Sequence, residues 1–168
     1  ITLEFKPRDE TLVWANKVVA AHPDCRIIVV THSYLTRKKG QLSGVDHYGV
    51  KGNSGKSIWE KLVSQHKNIF LTLSGHDMEN QLTSQGKHGN EVHQVQADYW
   101  YWDIPKIKAG SGFLRIMTFY PNKNSIEVQT YSPVLDEFLT RPKSNFLLDY
   151  TMADKSEQSS DTSGRGGD

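Results

Sequence analysis

The chain has 168 residues, enough for one domain with a sizeable core. Its 20 basic and 19 acidic residues leave a formal charge of +1, which gives no field for nucleic acid or an anionic membrane. No stretch approaches the ~20 apolar residues of a membrane helix, and Cys25, the only cysteine, has no intramolecular disulfide partner. Ile1 to Phe5 alternates weakly and reads as an edge strand ended by Pro7. Asp9 is the expected N-cap of a helix running to about Ala21, with Leu12, Val13, Trp14, Ala15, Val18 and Val19 as its apolar face. After the Pro23-Asp24 turn, the β-branched run Arg26 to Thr31 reads as a buried strand ending at His32. Residues 36–56, rich in Gly, Lys, Ser and Asn, read as a long loop beside that strand end, a common place for an active-site wall.

A second helix is expected from about Ser54 to His66, with Ile58, Trp59, Leu62 and Val63 on one side. It leads into the run Asn68 to Ser74, a second buried strand ending at Gly75-His76. Strand, helix, strand is the pattern of a parallel pair with a crossover, and ligands of such sheets sit beyond the carboxyl ends of the strands. His32 and His76 both occupy that position. Residues 77–90 read as a polar loop. Strand-like runs follow at Glu91 to Trp102, Gly112 to Tyr120 and Ser125 to Tyr131, with a hairpin turn at Pro121 to Asn124 and a last strand at Phe146 to Tyr150. Ile126, Val128 and Thr130 alternate with Glu127 and Gln129, giving that strand one wet face. The expected class is α/β (α+β): one domain over 1–152, with two helices on a mixed sheet and then an antiparallel meander. The tail 153–168, without an apolar anchor, is expected to be disordered.

Several motifs in order carry a resemblance. They are Trp14-Ala15-Asn16, Val30-Thr31-His32, Ile58-Trp59-Glu60-Lys61-Leu62 and Ser74-Gly75-His76, followed by Ala97-Asp98-Tyr99, Gly112-Phe113-Leu114-Arg115 and Thr130-Tyr131-Ser132-Pro133. Together, from about Leu3 to Tyr150, they resemble the C-terminal half of a bacterial calcineurin-like metallophosphoesterase. That family builds a two-metal site on a β-sandwich. Its first half supplies Asp-x-His, Gly-Asp-x-x-Asp and Gly-Asn-His motifs, and its second half supplies a lone strand-end histidine and a Gly-His-x-His pair. The resemblance places His32 at the lone histidine and His76 at the first of the pair. Met78 stands where the second paired histidine belongs, and none of the first-half motifs occurs in the 168 residues. The sequence thus keeps two ligands for one metal, and a thioether is a poor substitute ligand for a hard or borderline cation.

What the resemblance implies is a hydrolase that cleaves phosphate esters or related esters with a divalent metal (Zn, Mn, Fe or Mg) on His32 and His76. Asp77 would act as a third ligand or pocket residue beside them, and the substrate would be a small-molecule phosphoester. Asp46, His47, His88 and His93 are further loop candidates, although His47, His88 and His93 read better as surface or loop histidines. The alternative is a non-catalytic remnant or interaction domain that needs a homodimer partner or a complementary N-terminal half. Taken without the resemblance, His32 and His76 read as a hydrogen-bonded pair at strand ends. A start at Ile1 without methionine fits a processed or excised product, secreted or periplasmic if a leader was removed.

Other motifs carry less. Gly52-Asn53-Ser54-Gly55-Lys56-Ser57 lacks the first glycine of a phosphate-binding loop and follows a loop rather than a strand, so a helix start capped by Ser54 or Ser57 is the better reading. Ser33 beside His32 has no nucleophile elbow, and neighbouring residues on a strand face opposite sides. Tyr99 to Trp102 reads as sheet core plus an edge, because basic residues are sparse around it.

Overall fold

The computed structural model describes residues 1–38, 42–43, 49–99 and 111–152. The chain divides into two compact units, Ile1–Ser111 and Gly112–Asp168. The class is α/β, with a mixed sheet in the first unit and an antiparallel one in the second. Asp46, His47 and Trp100 to Trp102, and the tail from 153, lie outside the described residues.

The first unit is built on β1 (Ile27–Val30), β2 (Ile69–Ser74), β3 (Asn80–Gln85) and β4 (Glu91–Gln96), ordered β1-β2-β4-β3. β1 pairs parallel with β2, and β2 parallel with β4, whereas β3 is antiparallel to β4. β4 therefore inserts between β2 and β3. The Ile1 to Leu3 segment extends the sheet past β1 through Leu3 N–H to Val30 O at 2.8 Å and Val30 N–H to Ile1 O at 2.9 Å. β3 corrects the expectation of a loop over 77–90. Its sequence, Asn80-Gln81-Leu82-Thr83-Ser84-Gln85, has a single apolar residue, and the strand exists because its backbone completes the ladder of β4 at the sheet's edge.

Helix α1 (Asp9–Ala21) and helix α2 (Gly55–Lys61), with the 3₁₀ turn Val63–Gln65, supply the apolar cover. Leu12, Ala15 and Val19 of α1 join Val29, Ile58, Leu62, Val63, Ile69 and Val92 in one core. Each of the leucine, valine and isoleucine side chains there contributes about 1.5–3 kcal/mol of burial. Val13 and Trp14 do not belong to it, being 56% and 51% exposed. The cap position of α1 is Arg8 and Asp9 is the first helical residue, so the helix starts one residue earlier than expected. The Asp9 carboxylate instead takes Lys61 Nζ at 2.7 Å and Asn53 Nδ2 at 3.0 Å, tying the start of α1 to the end of α2. Ser54 caps α2 as expected, its hydroxyl accepting from Ser57 N–H. Gly55 is required by close approach: a Cβ there would lie 2.0 Å from Tyr34 O. The glycine-serine-lysine run is thus a packing device.

The second unit holds β5 (Leu114–Tyr120), β6 (Ser125–Ser132), β7 (Glu137–Leu139) and β8 (Phe146–Asp149), with β6 pairing antiparallel to all three others. The hairpin turn is Pro121–Lys123 closed by Asn124 in the left-handed region. Ile126, Val128 and Thr130 are buried, as their alternation implies, and Ser132 continues the face. On the other face the rings of Tyr131 and Phe138 lie 4.8 Å apart.

Candidate functional site

The pairing of β1 with β2 continues past the ends of both strands. Thr31 N–H donates to Leu73 O at 3.0 Å, and Gly75 N–H to His32 O at 2.9 Å. This backbone zipper carries the two histidines out of the sheet side by side. His32 Nε2 and His76 Nδ1 are 3.0 Å apart, and the ring centroids are separated by 4.8 Å with 59° between the planes. Phe5 packs edge-on against His32, its centroid 5.1 Å away at 90°, and lies 6.0 Å from His76. The juxtaposition expected from the sequence is present.

His76 reaches this place through an unusual turn. Asp77 N–H donates to Gly75 O at 3.0 Å, closing a γ-turn around His76, whose φ is +74°. Met78 follows at φ +61°. Positive-φ γ-turns are rare and strained, and strain of this kind is retained where surrounding contacts over-determine it. Here Gln96 Nε2 donates to Asp77 O at 2.7 Å, and Asp98 N–H to Met78 O at 3.1 Å.

The Asp77 carboxylate is engaged. Its Oδ2 accepts Arg37 N–H at 2.8 Å, and its Oδ1 faces Arg37 Nε at 3.1 Å. Asn80, fully buried, donates from Nδ2 to Thr36 O and to Lys38 O, so residues 36 to 38 are held from both sides. Gln96, also fully buried, accepts from Leu35 N–H at 3.1 Å and from Ser74 Oγ at 3.3 Å. One side chain thus joins the end of β2, the segment after β1 and the strained turn. Behind them, Tyr99 donates to the buried Glu79 carboxylate at 3.0 Å.

The other histidine candidates lie elsewhere. His93, expected at the surface, is buried within β4 opposite Leu71 and hydrogen-bonds Thr83 through Nδ1 at 3.0 Å, because β4 is a central strand covered on both sides. His88 is exposed and meets Gln65 O at 3.0 Å. Burial and then the neighbouring His88 hold His66 below the ordinary histidine range. It lines a shallow hollow of about 620 Å³ with Lys17, Lys61 and Lys87. Burial raises the Tyr34 phenol well above its usual range, consistent with a core position.

The histidine pair suits a shared cation in one respect. Two metal–nitrogen bonds of about 2.0–2.1 Å at angles between octahedral and tetrahedral set their nitrogens roughly 2.9–3.4 Å apart, and the observed separation is 3.0 Å. Among the described residues no third His, Cys, Asp or Glu joins them in a metal-binding group. What the geometry provides is a two-nitrogen half-site at a sheet edge. The sequence reading missed Arg37, Asn80, Gln96 and Phe5. For Gln96 a signal existed: a glutamine at the end of the strand-like run that begins at Glu91, once buried, needs partners for both its oxygen and its nitrogen.

No protein-family model matches the chain. Over 139 residues, 77% of this chain, it is 30% identical to YvnB, an uncharacterized protein of Bacillus subtilis (strain 168). The chain spans about a tenth of that relative's length, since the match covers 10% of it. Among the described residues, no helix is long and apolar enough to cross a membrane.

Proposed function

We propose that this chain carries part of the active site of a metallophosphoesterase-type hydrolase, in which His32 and His76 hold one divalent ion. The observation that carries the reading is the 3.0 Å approach of His32 Nε2 to His76 Nδ1 at the carboxyl ends of adjacent parallel strands. The motif order that resembles the C-terminal half of that family supports it, as does the strain at His76. A bound divalent ion supplies Lewis-acid polarisation of a phosphoryl oxygen and a more acidic water. The chain's own residues hold and orient. The γ-turn aims His76, Phe5 packs against the His32 ring, and Gln96 fixes the turn through Asp77 O. Asp77 serves the site through Arg37 rather than as a free third ligand.

That last observation favours a second reading beside the first: with the carboxylate next to His76 already committed to Arg37, the half-site is completed by a partner chain or a complementary segment. The test is elemental analysis of the purified chain together with hydrolysis of bis(p-nitrophenyl) phosphate and p-nitrophenyl acetate in Zn²⁺ and Mn²⁺. Bound metal that His32→Ala or His76→Ala removes sustains the hydrolase reading. Metal without turnover selects the partner-completed version. Absence of both metal and turnover defeats it.

A further inference from the structure

We propose that Arg37 is the oxyanion-binding residue of this site, and that it takes the charged oxygens of a phosphoryl group presented beside His32 and His76. The inference rests on the functional reading above and deepens it by naming the group that recognises the substrate. Arg37 belongs to the basic run Arg37-Lys38-Lys39, which by sequence alone is a solvated loop. The fold gives Arg37 a fixed place instead. Its main-chain N–H and its Nε are both bound by the carboxylate of Asp77, the residue next to His76. Asn80 holds the carbonyls on either side of it, those of Thr36 and Lys38.

The chemistry of a guanidinium does the rest. Within the ion pair it is Nε that approaches Asp77 Oδ1, at 3.1 Å, and among the described residues Asp77 is the only partner of the side chain. The edge formed by the two terminal nitrogens keeps its donors, while the side chain is 70% exposed. Such an edge is a planar two-donor fork that matches two oxygens of a phosphate or carboxylate. A loose surface arginine would have to give up several rotatable bonds to bind. This one is anchored at its backbone and at Nε, so much of that entropy has already been lost. Asp77 also neutralises part of the charge, which favours a ligand that uses the fork geometry over one held by charge alone.

The test uses the 168-residue chain and phenyl phosphate as probe, followed by NMR at the Arg37 Nε–H and the histidine ring C–H signals, with and without Zn²⁺. Inorganic phosphate and the neutral ester phenyl acetate are titrated in parallel. Saturable shifts are expected with phenyl phosphate and none with phenyl acetate. Arg37→Ala weakens phenyl phosphate binding by about tenfold or more, the loss of a charge-assisted bond. Arg37→Lys fails to restore it, because an ammonium has no fork. Tighter binding of phenyl phosphate than of inorganic phosphate assigns the site to esters, and equal binding assigns it to the phosphoryl group itself; both sustain the role of Arg37. No saturable binding, or affinity in Arg37→Ala within about twofold of the parent, overturns the proposal. Metal content is read on the same samples. A chain that binds phenyl phosphate through Arg37 yet takes up no metal keeps this proposal and loses the hydrolase reading, and the reverse result does the opposite.

Discussion

Gln96 Nε2 donates to Asp77 O at 2.7 Å while its Oε1 accepts from Leu35 N–H at 3.1 Å, so one buried amide spans the two segments that carry the histidines. The Leu35 N–H has no water to fall back on once Gln96 is removed, because Gln96 and Leu35 are both buried. Gln96→Leu therefore leaves a buried N–H without an acceptor and frees the turn around His76. We expect a loss of about 2 kcal/mol in urea unfolding, together with collapse of the distinct His76 ring signals. An unchanged His76 spectrum would show that the turn is held by its other contacts.

His66 gives the first unit a pH dependence of its own. Burial, followed by the positive field of His88, lowers its pKa from 6.5 in the folded chain, so the folded state prefers the neutral ring. The unfolded chain takes up the proton first as pH falls. The stabilising contribution is thus present above pH 6.5 and is lost as pH drops below it through the folded value. Thermal unfolding across that window should show Tm falling with pH in the parent. The slope should be smaller in His66→Gln and partly reduced in His88→Ala. A slope identical in all three chains would contradict the assignment.

In the proposed reading Met78 stands where a second paired histidine would be, two residues beyond His76 and in the left-handed region at φ +61°. Histidine is among the residues that tolerate that backbone conformation. Met78→His replaces a soft thioether with an imidazole suited to Zn²⁺ and Mn²⁺. Competition with a chromophoric chelator should show Zn²⁺ binding tightened by about tenfold or more. Met78→Leu should bind as the parent does. Equal affinity of Met78→His and Met78→Leu would mean that this position does not face the metal.

The strands with β-branched or aliphatic runs, Ile27–Val30 and Ile69–Ser74, were legible because hydrophobic burial writes itself as composition. The meeting of His32 with His76 was legible for the same reason: parallel strands of this length bring their ends together. β3 was not, since five of its six residues are polar and its stability comes from the backbone ladder to β4, which no local signal encodes. His93 was misplaced because a polar residue in a central strand looks, in sequence, like one on an edge. Arg37 and Asp77 are separated by 40 residues, so their ion pair depends on the loop path that Asn80 fixes. The exposure of Val13 and Trp14 was hidden by periodicity alone, which marks a stripe but not its width.

A ligand pair at His32 and His76, as opposed to a purely hydrogen-bonded one, has a direct signature. In the 3.0 Å contact one ring nitrogen donates and the other accepts. A cation bound by His32 Nε2 and His76 Nδ1 needs the lone pair of both, so one of the two rings must move its proton to its other nitrogen. Nitrogen-15 NMR of the histidine side chains during a Zn²⁺ titration reads this. Ligation predicts a saturable change of tautomer in one ring, with metal-shifted resonances at His32 Nε2 and His76 Nδ1, abolished in His32→Ala and His76→Ala. Both tautomers unchanged at saturating Zn²⁺ would contradict it and leave the pair as a structural hydrogen bond.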